Sequence, residues 1–169
     1  IKLMAKHCIE LAVMDEAAAI DGTRPLECVA DACGFAWGAT YVQMSGDLMK
    51  FSVLLTVSKS FTPAQQAWPP LTLELFAQLG GKRAQRKILG AMRTLHWTDH
   101  ANVTRAAGTM KTEDVDAKML RWVAEIAGDG SEIRSLSGRS ARLADGVSRN
   151  CGNRDALLHA VSYTHLTLP

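Results

Sequence analysis

Three acidic residues stand where the chain changes character, and together they suit metal-assisted chemistry on a phosphodiester. Asp31 closes the apolar run that begins at Leu26, Glu74 follows the pair Pro69-Pro70 by one turn, and Asp99 comes directly after Leu95-His96-Trp97-Thr98. A fourth carboxylate, Asp145, stands in Leu143-Ala144-Asp145-Gly146. One carboxylate at a strand end, one near a helix start and one just past a second strand can converge as hard oxygen donors for a divalent cation. Taken singly, each is better explained as a cap, a turn or a solvated residue.

The elements that must carry these residues follow from apolar spacing. Residues 5–19 place Ile9, Ala12, Val13 and Ala17 at helical intervals, and Asp21-Gly22 with Pro25 stops that helix. Residues 27–33, 37–44 and 50–58 read as three strands of an antiparallel meander, with Phe51, Val53, Leu55 and Val57 on one side of the third. Thr62-Pro63-Ala64 opens a helical turn, and Pro69-Pro70 starts a longer helix in which Leu71, Leu75 and Leu79 repeat until Gly80-Gly81. A strand over 92–98 puts Leu95 and Trp97 on one face, and a helix over 116–127 sets Leu120, Val123, Ala124 and Ala127 against Lys118, Arg121 and Glu125. A weak strand over 131–136 and a short helix over 141–149 complete the order, which predicts an α/β chain of the α+β kind, a mixed sheet with helices on its faces.

Composition narrows the class. With 169 residues and 47% hydrophobic content the chain suits one globular domain, and a net charge of +2 leaves any nucleic-acid signal to local clusters. Such a cluster exists in Lys82, Arg83, Arg86 and Lys87, with Arg93 close behind and Arg134, Arg139, Arg142 and Arg149 in the last third. Cationic residues of this kind position a duplex through its phosphates without reading sequence; the run equally suits a solvated helix end favoured by the helix dipole. Cys8, Cys28, Cys33 and Cys151 lack C-x-x-C spacing and are expected to be reduced thiols. No apolar stretch reaches the roughly 20 residues that cross a bilayer, so a soluble, intracellular protein is expected. His96 and His100 are four apart, but a stretch leaving a strand is not a zinc helix. Trp37, Trp68, Trp97 and Trp122 are expected in packing. The start at Ile1, inside a helical pattern, suggests a fragment, and residues 161–169 are set aside as lacking any partner pattern.

Six motifs, in order, resemble the ribonuclease H domain of LTR-retrotransposon and retroviral Pol polyproteins, in particular the Ty3/gypsy-like branch, where that domain follows a reverse transcriptase. They are Ala30-Asp31-Ala32 with Gly34, Trp37-Gly38-Ala39 and Gln43; Ser58 through Trp68 around Thr62-Pro63-Ala64; Leu73-Glu74-Leu75-Phe76-Ala77; Thr98-Asp99-His100; Arg121-Trp122; and Leu143 through Arg149 around Asp145. They span about residues 20–150.

The resemblance implies an RNase H-like fold with a five-stranded mixed sheet, and an endoribonuclease that cuts the RNA strand of an RNA–DNA hybrid. It implies Asp31, Glu74, Asp99 and Asp145 as the catalytic and metal-binding carboxylates, two Mg²⁺ ions with Mn²⁺ as a substitute, and Lys82, Arg83, Arg86, Lys87 and Arg139 on the substrate. Residues 1–22 would end the connection to an upstream reverse transcriptase acting in cis, 23–150 would be the RNase H-like domain, and 151–169 a non-native or disordered tail. The setting would be a cytoplasmic virus-like particle or replication complex. Two departures weigh for an idle duplex-binding or structural module instead: residues 135–143 lack the loop histidine many ribonucleases H carry, and Gly128-Asp129-Gly130 with a serine-rich run is expected to loosen a normally firm strand. A DNA-strand transferase on the same superfamily fold is the third reading, disfavoured by the wording around Asp99 and Asp145.

Overall fold

The computed structural model describes residues 11–44, 51–108 and 116–135. A short helix α1 (Glu16–Asp21) precedes the meander of β1 (Leu26–Ala32), β2 (Ala36–Met44) and β3 (Phe51–Ser60), paired antiparallel as expected. A turn of helix α2 (Pro63–Gln66) leads to the long α3 (Pro70–Ile88), then β4 (Thr94–Thr98), α4 (Ala101–Gly108), α5 (Ala117–Ala127) and β5 (Glu132–Ser135). The strands lie in the order β3-β2-β1-β4-β5, with β4 parallel to both β1 and β5. This is the expected five-stranded mixed sheet.

Of the helix expected over 5–19, residues 16–19 are helical and 11–15 are not; residues 5–10 lie outside the described residues. Asp15 caps it through the Ala18 N–H, and residues ahead of it are drawn onto the sheet instead. The Ala12 N–H donates to the Val53 carbonyl at 2.9 Å and the Asp15 N–H to Gln43 Oε1 at 2.9 Å. These bonds satisfy backbone groups that a longer helix would have satisfied internally. Gly22, with φ +80°, ends α1 in the left-handed conformation that glycine adopts without strain.

The long helix does not stop at Gly80-Gly81 but runs through both to Ile88. A Cβ on Gly80 would come within 2.6 Å of the Trp37 ring, and one on Gly81 within 2.9 Å of Ala39 Cβ. The pair therefore lets α3 lie directly on β2, and contact with the sheet outweighs the roughly 1 kcal/mol that each glycine costs in helix propensity. Gly81→Ala, despite that propensity gain, should lose about 1–3 kcal/mol in urea denaturation, because Ala39 sits on strand backbone and cannot retreat. Unchanged stability would mean that α3 lies farther from the sheet.

Helix α3 divides the core. Leu73 and Ala77 join Leu26, Cys28, Ala30, Trp37, Tyr41, Leu55 and Phe61 on the sheet side, while Leu75 and Leu79 join Val103, Met119, Val123 and Ile126. The buried stripe of α5 is thus Met119, Val123 and Ile126, and the expected Ala124 and Ala127 face solvent. Helix α4 was not anticipated from the sequence; its Val103 is fully buried. The 128–130 turn is firm, because Gly130 takes φ +79° and the Asp129 and Ser131 side chains are bonded inside the fold. The helix expected over 141–149 lies outside the described residues.

Candidate active site

Parallel pairing of β1 and β4, in register Val29↔Trp97, brings their C-terminal ends side by side, so Asp31, near the end of β1, and Asp99, just past β4, stand at the same end of the sheet. Helix α3 carries Glu74 in its second turn. The three carboxylates meet electrostatically: burial, then the charges of Asp31 and Asp99, push the Glu74 carboxyl up to about 8. The Ala32 N–H and the Asp31 carboxyl both hydrogen-bond Glu74. Two carboxyls share such a bond only when one carries the proton, and Glu74 is the member whose raised pKa holds it at neutral pH. Its second oxygen, Oε2, is buried with no hydrogen-bond partner.

A buried acid held protonated beside two other carboxyl groups, with an orphaned buried oxygen, fits a divalent cation. The ion would supply the missing counter-charge, displace the proton and occupy the bare oxygen. Asp31, Glu74 and Asp99 are the residues that would hold it. Among the described residues no three His, Cys, Asp or Glu side chains are yet close enough together to enclose an ion. Asp145, the fourth expected ligand, lies outside the described residues, as does Arg139.

The basic run is placed differently from expectation. Lys82 is not at the surface: it is fully buried, and its Nζ reaches Asp129 Oδ2 at 2.6 Å, Ser131 Oγ at 2.8 Å, Gln85 Oε1 at 3.0 Å and the Met92 carbonyl at 3.0 Å. It cannot touch a phosphate, because α3 turns that position toward β4 and the α5–β5 turn. Burial works against the Asp129 carboxylate, but the hydrogen bonds from Lys82 and Ser131 outweigh it and hold its pKa below the usual range. Arg83 forks onto Glu125 through two 2.8 Å bonds, and Arg86 donates to the Glu125 carbonyl at 3.0 Å, so both clasp α5. Lys87 is exposed, about 20 Å along the helix axis from Glu74.

Sequence reasoning missed the polar stripe of α3. Gln78, Lys82 and Gln85 are all fully buried, at intervals of four and three that place them on one helix face with Glu74. That spacing was the available signal. His96 is buried in the fold against Gln78, where burial and then the nearby Lys82 charge pull its pKa down to about 3, so it is a neutral imidazole. The four tryptophans do pack: Trp68, Trp122 and Phe76 form an aromatic cluster under the Lys118 ammonium, and Trp97 donates to Glu27 at 2.7 Å.

A five-stranded mixed sheet in this order, with helices across it, defines an RNase H-like protein. RNase H1 from the halophilic archaeon Halobacterium salinarum superposes with a TM-score of 0.56 at 13% identity, over 74% of this chain and 95% of that one. An RNase H1 solved in complex with an RNA/DNA hybrid gives 0.53 at 11%, over 72% and 91%. The foamy viral protease-reverse transcriptase solved with double-stranded DNA gives 0.57 at 11% identity, over 80% of this chain but 24% of the viral one. At such identities these likenesses establish the fold. No curated protein sequence matches the chain. The family model of the RNase H-like domain found in reverse transcriptase matches residues 21–128, and the chain belongs to that family.

Proposed function

We propose that the chain is a metal-dependent endoribonuclease that hydrolyses the RNA strand of RNA–DNA hybrids, as one domain of a retroelement polyprotein beside its polymerase in a cytoplasmic replication complex or virus-like particle. The observation that carries this reading is Glu74, whose carboxyl is raised by burial and by the charges of Asp31 and Asp99 and whose Oε2 is buried with no hydrogen-bond partner. Divalent cations bound there would lower the pKa of an attacking water and offset the charge on the departing 3′-oxygen. Asp31, Glu74 and Asp99 would hold the cations at the C-terminal ends of β1 and β4, and Asp145 is the proposed fourth ligand. Lys87 is a free cation for duplex phosphates, while Arg83, Arg86 and Arg139 complete the proposed substrate set only if the first two leave Glu125. Hybrid is selected by groove shape and the 2′-hydroxyls of its RNA strand.

The test is cleavage of an end-labelled RNA–DNA hybrid with Mg²⁺ or Mn²⁺, against Asp31→Asn as the blank. Metal-dependent cuts in the RNA strand, absent from the blank, are the expected result; folded wild-type protein that does no better than the blank with either metal ends the proposal. One observation favours the second reading, an idle duplex-binding module: the described carboxylates do not by themselves enclose an ion. That module would bind hybrid with a steep salt dependence, no metal effect and no turnover.

A further inference from the structure

Gln78 lies one turn beyond Glu74 on the same face of α3 and is fully buried. Its Nε2 donates to the Ala30 carbonyl at 3.3 Å and to the Trp97 carbonyl at 3.1 Å, and its Oε1 meets His96 Nδ1 at 3.1 Å. The two carbonyls decide which end of the amide is nitrogen, since each can only accept. The amide oxygen is therefore the acceptor for His96, which fixes the imidazole as the Nδ1–H tautomer and leaves Nε2 bare, in accord with its lack of any partner.

The position of these bonds is what matters. Ala30 precedes Asp31, Trp97 is two residues before Asp99, and the β1–β4 register ends at Val29↔Trp97. Gln78 thus fastens the two strands to each other where their ladder ends, and fastens both to the helix that bears Glu74. Lower on the same face, Lys82 and Gln85 bind the Met92 carbonyl and Thr94 Oγ1 donates to Gln85, so α3 grips β4 from end to end.

We propose that Gln78 is a positioning residue for the carboxylate site, one side-chain amide that sets the spacing of the chain segments carrying Asp31, Glu74 and Asp99. This rests on the nuclease reading above. A residue that orients ligands without touching the ion characteristically changes metal affinity or activity by about 10–100-fold when it is replaced. A residue that only satisfies two carbonyls would change stability and leave the metal response alone.

The test compares the whole chain with Gln78→Met, which keeps the length and volume of the side chain but none of its bonds, and Gln78→Asn, which keeps the amide one methylene short. Each is melted without metal and across a Mn²⁺ titration, and kcat and KM are measured on the hybrid. Both variants are expected to melt cooperatively, to need about 10–100-fold more Mn²⁺ for half of the thermal shift, and to lose kcat with KM unchanged. If Gln78→Met does not fold, the same displacement of the Mn²⁺ midpoint in Gln78→Asn supports the proposal. Folded variants with wild-type Mn²⁺ midpoints and kcat overturn the role of Gln78 while leaving the site standing. A folded wild-type chain indifferent to Mn²⁺ overturns the site reading and the proposal together.

Discussion

Glu74→Gln should reduce hybrid cleavage by roughly 10²–10³-fold or more, the scale on which an enzyme loses one preorganised electrostatic partner. The substitution is isosteric, so the fold survives and the loss lies in charge alone. The same variant should also reshape stability without metal. Glu74 rises from 4.5 to about 8 on folding, so between those pH values the folded chain holds a proton that the unfolded chain has released. Stability then falls as pH rises across that window, with the whole penalty present above pH 8 and none below 4.5. A glutamine cannot titrate, so the Glu74→Gln melting temperature should fall less between pH 5 and 8 and exceed that of wild type at pH 8, at roughly 4–8 °C for each kcal/mol relieved. Added Mn²⁺ should raise the wild-type melting temperature most at high pH and scarcely move the variant. Parallel pH profiles for the two proteins would show that burial and the neighbouring acids do not raise Glu74.

The second large effect concerns stability. Lys82→Ala should cost about 3–5 kcal/mol by urea denaturation, because it leaves the buried Oδ2 of Asp129 without its counter-charge and opens a void beside it. Lys82→Met with Asp129→Leu, which removes both charges and keeps the volume, should recover most of that loss, since an apolar pair of similar size often matches a buried ion pair. A phosphate-binding surface lysine would behave oppositely: Lys82→Ala would leave stability within about 0.5 kcal/mol and shrink the salt dependence of hybrid binding by about one ion. The urea midpoint and the salt slope therefore decide between the interior and the surface role.

Lys82 also shows where sequence reasoning ran short. A cluster of four basic residues reads as a cationic patch, because charged side chains are rarely buried unless paired. Its partner, Asp129, lies in a glycine-flanked turn whose composition signals a loose segment, and nothing local to either residue announces the other. The glycine pair in α3 misled for the same reason: Gly80 and Gly81 signal a break by propensity, yet they mark the closest approach of helix and sheet. Helix α4 went unseen because only Val103 supplies a fully buried side chain among its described side chains.

What the sequence determined by itself is local and periodic. Alternation of period two placed the meander, Pro69-Pro70 placed the start of α3, and the segments ending in Asp31 and Asp99 or opening with Glu74 were legible as strand ends and a helix start. Family motifs over the same residues pointed to the RNase H-like domain of reverse transcriptase, to which the chain belongs. Tertiary structure alone decided which face of α3 meets the sheet. That choice turned Lys82 inward, set Gln78 on the carbonyls of Ala30 and Trp97, and buried Glu74 within the field of two other acids. The physical reason is that a helical repeat specifies which side chains share a face, whereas burial, pKa and partners depend on strands that lie far away in the chain and arrive only when the sheet closes.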